Sequence, residues 1–176
     1  MKLIKYALWF IGLSVVSVFL SYCTNIFESS HPSCNLKGKV VKLADGDSIT
    51  VLDKHNVQHK IRLAGIDTPE RKQAYGNAAK QFLSDKIANE TVCVGWSKKD
   101  RYQRLVGVVR FEDEDVNLSI VEAGLAWHYK AYQSEQTESD QKKYAKAETR
   151  AKKKRLGLWK DKRAIAPWEW RRNLRK

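Results

Sequence analysis

Four carboxylates lie close together in a chain that is otherwise strongly basic. Asp45 and Asp47 belong to the segment ADGDS, and Asp67 and Glu70 belong to the segment AGIDTPE further along the chain. Close carboxylates repel each other unless a cation lies between them. Oxygen ligands suit Ca²⁺ or Mg²⁺, so Asp47, Asp67 and a nearby backbone carbonyl could form a hard-metal site. The same segments are also good turn and helix-start sequences, and turn chemistry is the alternative.

Two arginines near these acids favour the functional interpretation. Arg62 precedes Asp67 in the segment HKIRLAGIDTPE, and Arg104 follows the motif DRYQ. A carboxylate-bound cation neutralises the charge that develops in a phosphoryl transition state, and a guanidinium can grip two phosphate oxygens at once. Glu70 could orient or deprotonate an attacking water. Together these residues are what the hydrolysis of a phosphate ester needs.

Short strands on either side of the acids would bring them together. Alternating side chains predict strands over 39–44, 48–53 and 57–64, joined by short turns as a β-meander. The third strand of a meander runs antiparallel to the second, so its end approaches the start of the second. Asp47 and Asp67 are therefore expected to be neighbours.

The remaining elements complete a small barrel. The spacing of apolar residues predicts strands over 91–96 and 104–111 and helices over 77–90, 117–124 and 139–157. Asn117 and Ser139 are the expected N-caps of the last two helices. Five short strands with a helix between the third and the fourth are the layout of a five-stranded Greek-key barrel, the OB-fold. The predicted class is α+β, mainly β barrel, with about three helices.

The whole chain carries a surplus of positive charge. It has 33 Lys and Arg against 20 Asp and Glu among 176 residues, which gives a formal net charge of +13. This balance predicts an anionic partner, either nucleic acid or an anionic membrane surface, unless the surplus merely keeps the protein soluble. The length favours a single domain.

The N-terminal segment has the pattern of an export signal. Lys2 and Lys5 precede an uncharged apolar stretch over 6–22. Because this stretch lies between a signal-peptide core and a membrane span in length, cleavage, lipidation of Cys23 and retention as an anchor are all open. The remainder is expected to be exported in each case, whether secreted, periplasmic or anchored at the outer side of the cytoplasmic membrane. The predicted organisation is an N-terminal segment (1–23), a linker (24–36), an OB-fold domain (37–172) and a basic tail (173–176).

Export would place the other cysteines where disulfides persist. Cys34 and Cys93 follow the N-terminal segment, and we predict a bridge between them, with two unpaired thiols as the alternative. The bridge would close a long loop and stabilise the fold by about 4 kcal/mol in the chain-entropy model. The cysteines and histidines lack metal-ligand spacing, which argues against a zinc site.

Five segments in order resemble the thermonuclease family, the staphylococcal nuclease-like proteins. They are VKLADGDSITV, HKIRLAGIDTPERKQAYG, DRYQRLVGVV, VEAGLAWHY and GLWKDKRAIAPWEWRR, from about residue 37 to residue 172. The resemblance implies an OB-fold nuclease that uses Ca²⁺ to hydrolyse phosphodiester bonds in DNA and RNA. In this family water attacks in line and the 5′-oxygen leaves, so that 3′-phosphate ends result.

The resemblance also implies roles for individual residues. The Ca²⁺ ligands would be Asp47, Asp67 and the backbone carbonyl of Thr68, and the catalytic residues would be Arg62, Glu70 and Arg104. The substrate-binding residues would be Arg101 and Tyr102 at a terminal phosphate and Tyr129 and Tyr132 at the bases. Ser48 replaces the usual Thr, and Gln103 stands where Gly is common. The stretch between Glu70 and Tyr75 is shorter than the mobile loop of the staphylococcal enzyme, which bears on substrate preference.

Two other functions fit the same composition. A non-catalytic OB-fold would hold single-stranded nucleic acid by stacking and charge, with no need for Asp47 or Asp67. An envelope protein would present its basic surface to anionic lipid, with the barrel as scaffold only. We predict the nuclease, because every catalytic position of the family is present, and we expect it to be a monomer of low sequence specificity.

Overall fold

The computed structural model describes residues 34–175, so the predicted N-terminal segment and the fate of Cys23 lie outside the described residues. The strands are Leu36–Leu43 (β1), Ser48–Asp53 (β2), Gln58–Leu63 (β3), Ile66–Asp67 (β4), Thr91–Lys99 (β5), Leu105–Phe111 (β6), Glu114–Asp115 (β7) and Trp127–His128 (β8). The α-helices are Gly76–Ile87 (α1), Val116–Glu122 (α2), Glu138–Lys153 (α3) and Pro167–Asn173 (α4). Two 3₁₀-helices span Lys130–Glu135 and Gly157–Lys160.

Five of the strands close into a barrel. β1 pairs antiparallel with both β2 and β5, β2 pairs with β3, and β5 pairs with β6. The barrel closes because β3 also pairs with β6, in parallel, with Arg62 opposite Val106. Helix α1 lies between the third and fourth barrel strands in sequence. This is the OB-fold architecture, so the predicted fold class is confirmed.

The barrel interior is filled by the alternate side chains of its strands. In β1, for example, Leu36 and Val40 are buried while Lys37 and Lys39 are exposed. The helices add further side chains to this core. The fully buried ones include Val51, Ile61, Val94, Leu83, Ile87, Ile120 and Tyr144. Because each large apolar side chain contributes about 1.5–3 kcal/mol on burial, this core holds the strand ends that carry the acids in fixed positions.

A disulfide bond joins the start of the first strand to the fifth strand. Cys34 precedes β1 and Cys93 lies in β5, with their Cα atoms 5.5 Å apart. The strands are already paired at this point, where Lys37 lies opposite Cys93. The bond therefore reinforces the β1–β5 seam of the barrel.

Two helix starts differ from those expected. Asp115 is the N-cap of α2, and its side chain accepts a hydrogen bond from the backbone N–H of Leu118. Asn117 lies inside the helix and is fully buried. Its amide forms hydrogen bonds with the backbone of Val109 and Ala64. Thr137, and not Ser139, caps α3.

The segment that follows α3 packs against β8 in a second apolar cluster. Trp127 of β8 lies edge-on to Trp159 and Trp168, with ring centroids 5.1 Å and 6.3 Å away. Leu158 and Ala166 are also buried here. Pro167 opens α4 in the first helical position, where its fixed φ angle suits the helix. This C-terminal helix was not predicted from the sequence.

A carboxylate at the end of β2 is held by three groups. Asp53 lies 2.8 Å from Nε2 of His59 and accepts hydrogen bonds from the backbone N–H groups of His55 and Val57. The hydrogen bond with His59 and those with the backbone lower the pKa of Asp53 from 3.8 to about 2. The ionised form of Asp53 therefore stabilises the folded chain.

We expect Asp53→Asn to reduce stability near neutral pH and to change its acid dependence. Because the pKa of Asp53 is lowered on folding, its contribution is fully present above about pH 4 and is lost as the pH falls towards 2. The difference in urea midpoint between wild type and variant should therefore shrink from pH 4 to pH 2. A difference that stays constant over this range would contradict the assignment.

None of the helices between residues 34 and 175 combines the length and the apolar run that a membrane span requires.

Candidate active site

The acids of the two predicted segments meet at one end of the barrel. Asp47 lies in the turn before β2, and Asp67 ends the short strand β4, directly after β3. Oδ2 of Asp47 accepts hydrogen bonds from both the backbone N–H and the hydroxyl of Thr68, each at 2.9 Å. The antiparallel β2–β3 pairing brings these segments together, as the strand pattern predicts.

The carboxylates of Asp47 and Asp67 are deeply buried. Asp47 is 6% exposed and Asp67 is 1% exposed. Burial raises the pKa of Asp67, although the hydrogen bond from Arg171 and the charge of Arg62 oppose the rise. Burial and the neighbouring Asp47 likewise raise the pKa of Asp45 to about 6. Carboxylates placed in this way favour a bound cation, because a cation relieves both the burial cost and the mutual repulsion.

One guanidinium joins the two buried carboxylates. Nη1 of Arg62 lies 3.2 Å from Oδ2 of Asp47, and Nη2 lies 2.9 Å from Oδ1 of Asp67. Nη1 also donates to the carbonyl of Leu63 at 2.9 Å. Arg62 extends from a barrel strand that is paired on both sides, so its position is set by the fold.

A second arginine reaches the cluster through a hydroxyl group. Nε of Arg104 donates to Asp100 at 2.7 Å, and Nη1 donates to Oγ of Ser48 at 3.2 Å. Ser48 in turn donates to Oδ1 of Asp47 at 3.1 Å. The hydroxyl at position 48 thus links the arginine to the acids. Gln103, in the turn before Arg104, has a left-handed backbone with φ of 61°, a conformation that Gly adopts at lower cost.

A third arginine, which the sequence did not point to, completes the cluster. Arg171 comes from the C-terminal helix α4, and its Nη1 lies 2.7 Å from Oε1 of Glu70. Its Nη2 lies 2.8 Å from Oδ2 of Asp67. The only sequence signal for it is the mixture of Trp and Arg in PWEWRR, which does not say where the helix docks.

The donors at this site fit a hard divalent cation. The predicted ligands Asp47, Asp67 and the backbone carbonyl of Thr68 would offer a cation oxygen atoms alone, which suit Ca²⁺. Both carboxylates face the guanidinium of Arg62, so they already share one positive charge. Between residues 34 and 175, no three His, Cys, Asp or Glu side chains converge on a common point. With only two side-chain ligands proposed, a bound cation would take its remaining ligands from backbone or water oxygens.

The two residues predicted to bind a terminal phosphate, Arg101 and Tyr102, lie on the turn before Arg104. Tyr102 is 63% exposed. The guanidinium carbons of Arg101 and Arg104 lie 4.8 Å and 5.6 Å from the centroid of its ring. The two positive charges and the phenol hydroxyl are thus presented together at the surface, next to the acid cluster.

The two predicted stacking tyrosines differ in their availability. The ring of Tyr129 stacks on Trp168 with a centroid distance of 5.2 Å and an interplanar angle of 7°, so one of its faces is already covered. Tyr132 is 48% exposed, and its centroid lies 5.0 Å from that of Tyr129. Tyr132 therefore has the freer surface for a nucleobase.

Known proteins resemble this chain over most of its length. Residues 60–161 match the family model described as staphylococcal nuclease homologue. An uncharacterized endonuclease of Haemophilus influenzae is 42% identical over 76% of this chain and 72% of its own. A micrococcal nuclease of Shigella flexneri is 37% identical over 78% of this chain and 82% of its own. A staphylococcal-like nuclease of Arabidopsis thaliana is 39% identical over 66% of this chain and 34% of its own.

Proposed function

The chain belongs to the family of staphylococcal nuclease homologues and is a hydrolytic nuclease, and from this premise we propose that its activity depends on Ca²⁺. We further propose that it cleaves both DNA and RNA with low sequence specificity and leaves 3′-phosphate ends. The observation that carries the proposal is the cluster of two buried carboxylates bridged by Arg62, with Glu70 and Arg104 beside it.

The acids would hold the metal ion. Asp47, Asp67 and the carbonyl of Thr68 are the proposed ligands, and bound Ca²⁺ would supply positive charge against the charge that develops on the scissile phosphate. Thr68 also keeps Asp47 in place, because its N–H and its hydroxyl both donate to the same carboxylate oxygen. The ligand carboxylates are thus fixed before any substrate arrives, as electrostatic preorganisation requires.

The charged side chains around the acids would act on the phosphodiester. The guanidinium groups of Arg62 and Arg104 would bind its non-bridging oxygens, where a planar fork can make two parallel hydrogen bonds. Glu70, whose side chain is 37% exposed, would accept a proton from the water that attacks phosphorus. As the new P–O bond forms, the bond to the 5′-oxygen would break, the departing 5′-oxygen would take a proton from solvent, and the 3′-oxygen would keep the phosphate.

The basic surface supports a polyanionic substrate. Lys146, Arg150 and Lys153 on α3 are exposed, and their spacing places them on one side of the helix. Cations that line a surface in this way raise the local concentration of nucleic acid and make its binding depend on salt. Such cations would contact phosphates and not base edges, which agrees with low sequence specificity.

We also propose that the enzyme is exported and acts as a monomer outside the cytoplasm. Two observations support export. Lys2 and Lys5 precede an apolar N-terminal stretch, which is the pattern of a signal segment or anchor. Cys34 and Cys93 form a disulfide bond, and such bonds persist in oxidising compartments.

Digestion of nucleic acid with and without Ca²⁺ tests the proposed function. We expect the purified protein to cut plasmid DNA and RNA in Ca²⁺, to lose this activity in excess chelator and to regain it when Ca²⁺ is restored. The product ends should carry 3′-phosphates, which a 3′-phosphatase converts to free hydroxyl groups. Cleavage that persists in chelator would contradict the proposed metal dependence. Salt-sensitive binding without any cleavage would favour the single-strand-binding alternative.

A further inference from the structure

We infer that Arg171 is a positioning residue, which holds the carboxylates of Glu70 and Asp67 for the reaction; this inference rests on the function proposed above. Its guanidinium spans two carboxylates, with Nη1 2.7 Å from Oε1 of Glu70 and Nη2 2.8 Å from Oδ2 of Asp67. Nη1 makes an additional, longer contact of 3.4 Å with Oδ1 of Asp67. A planar fork suits this arrangement, whereas the point charge of a lysine does not.

The helix that carries Arg171 is fixed by packing on the domain. Its Trp168 stacks on Tyr129 and lies edge-on to Trp127, and its first residue, Pro167, is buried. The next residue, Arg172, is exposed. The anchored helix therefore places one particular arginine at the acids and leaves its neighbour in solvent.

The turn that carries Glu70 is tied to the same C-terminal segment. The backbone N–H of Glu70 donates to Oε1 of Gln73 at 3.1 Å. Nε2 of Gln73 donates in turn to the carbonyl of Ile165 at 2.5 Å, two residues before α4 begins. Gln73 thus holds the backbone of Glu70 while Arg171 holds its side chain.

Two effects of opposite sign follow from these contacts. Glu70 is partly exposed, so without Arg171 its carboxylate would sample several rotamers, and a general base must stay within hydrogen-bond reach of the attacking water. Arg171 also places a positive charge beside Asp67, a proposed metal ligand. This charge would repel a Ca²⁺ ion bound to Asp67. Removal of Arg171 should therefore slow cleavage and, at the same time, strengthen the binding of Ca²⁺.

A comparison of two neighbouring arginines tests the inference. For Arg171→Met we expect kcat for DNA cleavage to fall by about 10- to 100-fold, the effect of a misplaced catalytic group, with a much smaller change in KM. Calorimetric titration of the DNA-free protein with Ca²⁺ should give a dissociation constant lowered about 3- to 10-fold, because a nearby positive charge is lost. Arg172→Met removes the same charge from the exposed position and should change neither quantity by more than about twofold.

A conservative variant separates positioning from anchoring of the helix. Arg171→Lys keeps the charge but cannot grip both carboxylates at once, so Ca²⁺ affinity should return towards wild type while kcat recovers only in part. Thermal melting of each variant shows whether it is folded at the assay temperature. If Arg171→Met is not folded there, the kcat and the Ca²⁺ affinity of Arg171→Lys test the inference instead.

The inference is overturned if Arg171→Met cuts as fast as Arg172→Met, or if its Ca²⁺ affinity is not raised. A lower melting temperature with unchanged kcat would show that Arg171 only anchors the helix. If wild type itself does not cut in Ca²⁺, the proposed function fails. If wild type cuts in Ca²⁺ and Arg171→Met matches it, only the role of Arg171 fails.

Discussion

Glu70→Gln is expected to lower kcat by roughly 10²- to 10⁴-fold, the range for loss of a general base. The amide keeps the shape of the side chain and can still accept the hydrogen bond from Arg171, which lies 2.7 Å from the carboxylate. It cannot accept a proton from water at neutral pH. Because the pair is partly exposed, the free energy of unfolding should change by no more than about 1 kcal/mol.

The matched control for this variant is Glu169→Gln. Glu169 lies in the first turn of α4 and is exposed, so its replacement removes the same charge close to the site without touching the acid cluster. Initial rates on plasmid DNA at saturating Ca²⁺ compare the two variants, and urea unfolding compares their stability. Wild-type kcat in Glu70→Gln would show that another group activates the water.

The largest loss of stability is expected from the replacement of a fully buried amide, that of Asn117. In Asn117→Ala the free energy of unfolding should fall by about 3 kcal/mol, because the N–H of Val109 and the carbonyl of Ala64 lose the partner that Asn117 provides. Oδ1 of Asn117 accepts from the N–H of Val109 at 3.1 Å, and Nδ2 donates to the carbonyls of Ala64 and Gly107 at 3.0 Å and 3.2 Å. The side chain thus joins α2 to β6 and to the start of the AGIDTPE segment.

Asn77→Ala supplies the comparison for this effect. Asn77 is an exposed residue of α1, where the same substitution should change stability by about 0.5 kcal/mol at most. Both variants are measured by urea unfolding with fluorescence from the native Trp residues. If Asn117→Ala loses less than about 1 kcal/mol, then water or a shifted backbone satisfies the groups that Asn117 leaves.

The barrel could be predicted from the sequence because its strands repeat a simple pattern. The alternation in 39–44, 48–53 and 57–64 matches β1, β2 and β3 within a few residues. The pairing of Ile66–Asp67 with Trp127–His128 was not predicted, since two residues are too few to show a period. The sequence predicts a cap at Asn117 because Asn often begins a helix, and nothing local shows that its partners Val109 and Ala64 lie on other elements.

The positions of the acids could be predicted from the sequence, but the position of the third arginine, Arg171, could not. The antiparallel pairing of β2 and β3 makes Asp47 and Asp67 neighbours, and Arg62 lies in β3. Arg171 is 104 residues from Asp67 along the chain, and no repeat or turn relates the two. Its place depends on how Trp168 packs against Tyr129, which only the folded structure shows.

The docking of α4 has a consequence for when the enzyme becomes active during its synthesis. Glu70 and Arg171 are separated by 101 residues, so a ribosome finishes the barrel strands well before it reaches the arginine. A nascent chain that ends before α4 has the acids but lacks the contact that holds Glu70. If Arg171 acts as inferred, such a chain cuts about 10- to 100-fold more slowly than the finished enzyme, so the nucleic acids around the ribosome are cut slowly until α4 has emerged.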